Sequence, residues 1–491
     1  KHGNSGMKQL GVLDSAFINL EAPNTPQHIG GLGIYDPSTA PGGKVRFKEV
    51  IANFEQRLNS MPLFRTRVVN VEFHLRHISL PAPGDWRQLW IQAARLHARP
   101  LDMSRPLWEA YIIEGLDNIP DVPEGAFAIY TKMHHSLVDG AGGDAFMMAL
   151  HDSDITPAAG TSNDQPVIVD RQPLASELLI RSIANRTRSN LGLIRGVSST
   201  LVKTIKHQRA VSSEKIPPAD LNAPKTRFNN PVGPHRVAEA AVFTLDDFKA
   251  IKNAFGVTIN DVALSVVGGA MRRYLEHYGE LPEESLAAGI PMNMRTRREM
   301  TEDNNQVGSM FCEIHTNIAD PVARLAAVHQ SAIDAKESNA ENPMVEVLRV
   351  AGIFSPALSQ RAAQLWSKHQ LSKYVPANIS TVISNVPGPN VPLYSAGAKM
   401  VRYHAMGLLT PGCGAFHLVY SCNGLVTITF LADRETVPDP EFYRQCLEKS
   451  FAETLAAIPG KASMRSKTPK KKPQKAVASK KAPRKKKAAT K

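Results

Sequence analysis

Along residues 7–460, short runs of β-forming residues alternate with stretches of helical period, and no regular βα repeat orders them. His28 to Tyr35, Leu107 to Glu114 and Phe127 to Met133 read as strands by their β-formers and alternation. Val50 to Ser60 and Trp86 to Ala98 carry apolar residues at helical spacing. Further on, Val242 to Leu245 reads as a strand, and Asp246 to Phe255 as a helix capped by Asp246 and ended by Gly256. Asn260-Asp261 reads as the cap of an apolar helix reaching Tyr274. Ala415 to Ser421 and Leu425 to Leu431 flank Asn423-Gly424, a strong hairpin signal, and Glu441 to Ala457 is amphipathic. This interleaving predicts an α/β protein built of mixed-sheet lobes. At 491 residues the chain has length for two or three domains and for a core that stands without disulfides.

Composition divides the chain further. A first lobe is expected over 7–155 and a second over 236–460. The connector, 156–235, opens in a Pro/Ala/Gly/Ser/Asn stretch and closes in a Pro-rich one. Between these, Leu174 to His207 has a helical pattern that is basic, with Arg181, Arg186, Arg188, Arg195, Lys203 and Lys206 against Glu177. That helix fits either a bridge packed across the lobes or an amphipathic element lying on a membrane surface. Lys1 to Gly6 precede the pattern, which begins at Met7, and are set apart from the fold.

The net charge of +13 resides in one place. Residues 461–491 hold 14 Lys and Arg and no Asp or Glu, so the rest of the chain carries −1. This Lys/Ala/Pro-rich tail has almost nothing to bury and is expected to be disordered. Three readings stand for it: a solvated tail with no partner, a ligand of anionic phospholipid, or a sequence-blind contact to nucleic acid. No aromatic residue interleaves the charges, so bases have no stacking platform there. Cys312, Cys413, Cys422 and Cys446 form no metal-ligand or CxxC spacing, which predicts no metal site and a reduced, cytoplasmic setting. No apolar run reaches the roughly 18 residues of a membrane span, and the N-terminus has no signal-peptide profile.

One run carries chemistry. Met133-His134-His135-Ser136-Leu137-Val138-Asp139-Gly140 sits between the strand ending at Met133 and an apolar helix over Ala145 to Leu150, for which Asp144 is a fitting cap. Histidines on a turn at a strand's end reach a cleft from a rigid support. Imidazole titrates near neutrality, so it can take a proton from a hydroxyl and return it. A buried, hydrogen-bonded pair that only shapes the turn is the competing reading.

HHxxxDG is the motif of the CoA-dependent acyltransferase superfamily. Together with Pro106-Leu107-Trp108, Asn260-Asp261 and Ser384-Asn385-Val386-Pro387-Gly388-Pro389, in that order, the chain resembles the bacterial wax ester synthase/diacylglycerol acyltransferase family. The blocks from Leu10 to Phe17 and from Thr25 to Gly31 resemble the N-terminus of that family, and the likeness runs from about residue 7 to about 458. It implies two chloramphenicol-acetyltransferase-like lobes with a tunnel between them and the histidines midway. It implies acyl transfer from acyl-CoA to a fatty alcohol or a diacylglycerol, with no cofactor. His135 is the implied general base, and His134 supports the turn with a secondary contact open to it. Asp139 is implied to hold the loop, and Gly140 gives the turn its backbone freedom. Asn260 positions His135 or the oxyanion, or serves only as a helix cap. Ser384 and Asn385 line the tunnel, or serve only the Pro-Gly-Pro turn.

The chain departs from the family where Val68-Val69-Asn70 runs almost directly into Phe73-His74-Leu75-Arg76-His77. That short passage bears on acceptor selectivity and leaves the base intact. Two other classes stay open: an HHxxxDG condensation-type enzyme using carrier-bound thioesters, and a non-enzymatic lipid-granule or nucleoid protein relying on the tail. The expected location is cytoplasmic, peripheral at the inner membrane or at lipid inclusions.

Overall fold

Asn423 and Gly424, with φ of 46° and 80°, turn the chain back on itself and pair strand β11 (Ala415–Cys422) with β12 (Leu425–Asp433). Two left-handed residues in sequence match the twist of a tight hairpin, which is why Asn-Gly stands there. This computed structural model describes residues 12–58, 71–137, 147–155, 176, 223–293, 307–339, 356–374 and 377–459. Asp139, Gly140, Asp144, the basic stretch 177–207, the short passage at 68–70 and the tail 461–491 lie outside the described residues.

Two six-stranded mixed sheets organise the chain. The first runs β2 (Leu75–Ser79), β3 (Trp108–Glu114), β4 (Phe127–His134), β1 (His28–Asp36), β10 (Ala398–Met406) and β9 (Tyr394–Ser395). The second runs β5 (Arg236–Thr244), β12, β11, β8 (Thr381–Pro387), β6 (Ala287–Asn293) and β7 (Val307–Glu313). Within the first, β2 and β3 are parallel; within the second, β8 is parallel to both β11 and β6. The fold is therefore the mixed α/β arrangement that the interleaved pattern predicts.

Sheet membership does not follow chain order. β10 leaves the second half and pairs antiparallel with β1, from Gly30↔Met406 to Asp36↔Lys399. The expected lobe 236–460 thus lends two strands to the first sheet. No local pattern marks such a crossover, because a strand's own residues do not say which edge completes them.

Helices cover the sheets from sites set by capping. α1 (Val12–Leu20), α2 (Phe47–Leu58) and the single turn α3 (Val71–His74) precede α4 (Trp86–Ala98), whose N-cap Asp85 accepts the Gln88 N–H. α5 (Leu245–Phe255) is capped by Thr244, not by the expected Asp246, and ends at Gly256 with φ 69°. α6 (Ile259–His277) is the centre of the second core: Val262, Leu264, Val266, Val267, Met271 and Tyr274 are wholly buried. Gly268 lets α6 lie on the Ile314 carbonyl, which a Cβ would overlap. α7 (Pro321–Asn339) and α9 (Pro440–Ala456) pack on α6, and α8 (Pro356–Lys368) lies against α1. No single helix among the described residues is long and apolar enough to cross a membrane.

The lobes share a core. Leu32, Ile34 and Tyr130 of the first sheet, Leu89 and Trp90 of α4, and Ala238, Leu418 and Leu431 of the second sheet form one buried cluster.

Candidate active site

The period of two along β4 decides what each histidine does. Ala128 and Tyr130 point into the core shared by the lobes, while Ile129 and Met133 point into a separate one beneath α2. His134 continues the first set and is fully buried. His135 opens a 3₁₀ turn, His135–Leu137, and is only partly buried.

His134 is held through Nδ1. Its Nδ1 accepts the Ser136 backbone N–H at 3.1 Å and lies 2.7 Å from Ser136 Oγ. An accepting Nδ1 puts the proton on Nε2, which faces the Glu21 carboxylate at 3.5 Å. The ring thus lies between the turn and the chain after α1. His135 is held from other directions: its backbone N–H donates to Gln27 O at 2.9 Å, and Phe17 of α1 stacks on its ring at 4.0 Å.

Behind the turn lies a buried polar scaffold. Lys132 Nζ donates to Leu96 O and Arg99 O at the end of α4 and lies 3.4 Å from Glu109 Oε2. A cation at those carbonyls satisfies a helix C-terminus and fixes α4 to β4. His28, opposite His134 in the β1–β4 pairing, donates from Nε2 to His97 O at 2.6 Å. His97 accepts the Tyr130 hydroxyl on Nδ1 and donates from Nε2 to Gly407 O, each at 2.8 Å. Burial pushes His97 down to about 3 and holds His28 well below the usual imidazole range, with His97 adding to the effect. Both rings are therefore neutral and act as fixed hydrogen-bonding struts.

The second lobe contributes a separate pair. Thr258, not Asn260, caps α6: its hydroxyl accepts the Asp261 N–H, and the Asp261 carboxylate accepts the Thr258 N–H. Asp261 Oδ2 also accepts from His329 Nδ1 at 2.7 Å. The threonine wins the cap because it and Asp261 form a reciprocal box three residues apart. The Asn260 side chain, one residue inside the helix, takes no part in the cap, and its Oδ1 accepts from Asn385 Nδ2 at 3.5 Å.

β8 separates the two residues grouped with each other in sequence. Ser384 is in register with Leu418 of the shared core, and Asn385 with Val419 of the α6 core. They point to opposite faces of the sheet. The structure thus joins Asn260 to Asn385 and turns Ser384 toward the first lobe. Phe17, Glu21, Gln27, His97 and Ser136 were not singled out from sequence. Phe17 and Gln27 do fall inside the two N-terminal blocks that resemble the family, which was the one available signal.

Known proteins match over nearly the whole described chain. The model of the wax ester synthase/diacylglycerol acyltransferase catalytic domain matches residues 10–263, and that of the family's C-terminal domain matches 304–454. A Mycobacterium tuberculosis protein bearing the name putative diacylglycerol O-acyltransferase is 32% identical over 466 residues, which is 91% of this chain and 100% of that one. The wax ester synthase/diacylglycerol acyltransferase of Marinobacter aquaeolei VT8 has the same fold, with a TM-score of 0.63 at 23% identity over 91% of this chain and 98% of that one. A starter condensation domain of rhizomide synthetase, solved with C8-CoA, superposes with a TM-score of 0.51 at 14% identity over 92% of this chain and 96% of its own. The two low-identity structures speak to the fold; the catalytic-domain model, which spans the histidine turn, the C-terminal-domain model and the mycobacterial relative carry the assignment, and this chain belongs to the wax ester synthase/diacylglycerol acyltransferase family.

Proposed function

We propose that this acyltransferase moves a long-chain acyl group from acyl-CoA to the hydroxyl of a diacylglycerol or a fatty alcohol, with His135 as general base. The observation that carries the assignment of the base is the division of labour between the two histidines. His134 is fully buried, with Nδ1 bonded to Ser136 in the turn and Nε2 turned inward toward Glu21, whereas His135 is partly exposed at the head of that turn. Only a ring that water and substrate can reach is able to exchange a proton with an acceptor.

In the proposed reaction His135 takes the acceptor's hydroxyl proton, and the oxygen attacks the thioester carbonyl. The tetrahedral intermediate then collapses, the C–S bond breaks, and the imidazolium returns the proton to the CoA thiolate. Atoms balance without a metal or a cofactor. The Asn260 and Asn385 amides are read as the group that steadies the substrate or the developing oxyanion, and Ser384 as a lining residue of the passage between the lobes. Asp139 and Gly140 keep the loop-holding roles that the resemblance implies. Holding two substrates together supplies much of the acceleration, so no nucleophilic serine or cysteine is needed.

Both acceptors are lipids. We therefore read the protein as cytoplasmic and peripheral, working at the inner membrane or at lipid inclusions, with nucleic acid a partner only through the basic tail. The names of the mycobacterial relatives favour the diacylglycerol acceptor. Incubation of the chain with radiolabelled palmitoyl-CoA and either dipalmitoylglycerol or hexadecanol tests the reading. Label is expected in triacylglycerol, wax ester or both, and only when an acceptor is present. Label that remains in palmitoyl-CoA with both acceptors overturns it.

A further inference from the structure

α8 is an anomaly on this surface. From residue 360 onward its side chains and those of the turn Leu371–Tyr374 stand largely in water. Four of them are large and apolar or aromatic: Leu365, Trp366, Leu371 and Tyr374 are 54, 36, 37 and 80% exposed. Scattered apolar residues are ordinary on a protein surface, but four within ten positions of one exposed segment are not. Arg361, Lys368 and Lys373 intersperse them, and no Asp or Glu occurs between residues 356 and 374. Aromatic rings and basic residues together, without acids, suit the headgroup boundary of a bilayer: the rings take the amphipathic layer, and the cations face phosphate.

Position gives this surface a purpose. Gln360 Nε2 donates to Ile18 O of α1 at 3.4 Å, and α1 carries Phe17, stacked on His135. Leu20, at the end of the same helix, is 52% exposed. Lys225 Nζ donates to Lys373 O at 2.8 Å and fastens the turn to the stretch that precedes β5.

We propose that α8 and the turn after it dock this chain on an anionic phospholipid surface. Leu365, Trp366, Leu371 and Tyr374 enter the boundary between headgroups and acyl chains, and Arg361, Lys368 and Lys373 face the phosphates. Docking in this orientation brings α1 and the His135 turn to the bilayer, so a lipid acceptor reaches the base without crossing water. The inference rests on the reading that the acceptor is a lipid, and it names the surface that meets it.

The full chain is tested against vesicles of phosphatidylcholine, with and without phosphatidylglycerol, some with brominated acyl chains. Trp366 is the probe: Trp90 and Trp108 are buried and Trp86 is half-buried, and comparison with Trp366→Phe isolates its signal. Expected are preference for phosphatidylglycerol, quenching by the brominated chains that Trp366→Phe abolishes, and partitioning reduced about tenfold by Leu371→Ser with Tyr374→Ser. Binding is expected to persist in part at high salt, because apolar insertion is not screened. Vesicle-bound chain whose Trp366 emission is unquenched overturns the proposal and assigns the contact to the tail; equal binding to both vesicles overturns its anionic component. Thiol release with a detergent-dispersed acceptor separates the two readings. Wild type that is active there but binds no vesicle sinks the docking surface alone, while wild type inactive there sinks acyl transfer itself. The double variant is expected to keep that dispersed-acceptor activity, and its loss makes the patch part of the fold and contradicts docking.

Discussion

At the scale of single residues, Asn260 separates two jobs that its position in the sequence had merged. Its neighbour Thr258 closes the helix box with Asp261, and the asparagine instead meets Asn385. Thr258→Ala should therefore lower stability by about 1 kcal/mol, the ordinary value of a lost cap, and shift Tm with it. Asn260→Ala should leave Tm nearly unchanged and lower kcat by about 10²-fold, the scale of a lost oxyanion donor. Thermal melts and steady-state kinetics on the two variants check this, and the opposite pattern would return Asn260 to a purely structural part. The histidines divide in a similar way. That the pair falls at a strand's end was legible from the β-formers of Phe127 to Met133, although His134 proves to be the strand's last residue and only His135 stands on the turn. Which of them is committed was not, because it depends on Ser136 and Glu21, one local and one brought from the end of α1.

Elements were legible where the signal was local. The Asn423-Gly424 hairpin, the helix Trp86–Ala98 and the Gly256 stop of α5 follow from turn chemistry and period. β5 extends back to Arg236, well before the expected Val242, because cross-strand pairing with β12 recruits residues of weak intrinsic preference such as Ala238, Ala240 and Ala241. The crossover of β10 into the first sheet was beyond reach, since it rests on Gly30 to Asp36 meeting a strand nearly 370 residues away. A separation of 310 residues likewise hid the anchoring of His97 on Gly407, which ties α4 to that crossover. Family-level motifs marked the site; only the fold shows that β8 turns Ser384 and Asn385 to opposite faces.

At the scale of the molecule, buried neutral histidines set the response to acid. Burial pushes His97, His404 and His417 down to about 3 and His151 to about 4, and holds His28 well below its usual range. An unfolded imidazole takes its proton near pH 6.5, so below that point the unfolded chain binds more protons than the folded one. Stability from these rings is complete above pH ~6.5 and is lost as pH falls toward ~3, by up to ~1.4 kcal/mol per ring per pH unit. Glu239, raised to about 7 by burial, works the other way between its unfolded pKa near ~4.5 and about 7, and Asp433, also raised by burial, acts in the same sense, while His74 and His315, held down by burial, add to the five rings. Tm is expected to fall steeply from pH 7 to pH 5. His404 lies edge-on to Trp86 and Trp90, and among the described residues neither of its ring nitrogens has a hydrogen-bond partner. His404→Phe should make that pH slope shallower, and a flat wild-type profile would contradict the reading.

The account as a whole turns on His135 as the base of acyl transfer. Acceptor-dependent release of CoA thiol from palmitoyl-CoA, measured for wild type and His135→Ala alongside their melting temperatures, tests it most directly. The expected result is a fall in kcat of about 10²–10⁴-fold at unchanged Tm, the contribution of a positioned general base. A His135→Ala chain that melts like wild type and still releases thiol at the wild-type rate would contradict the account.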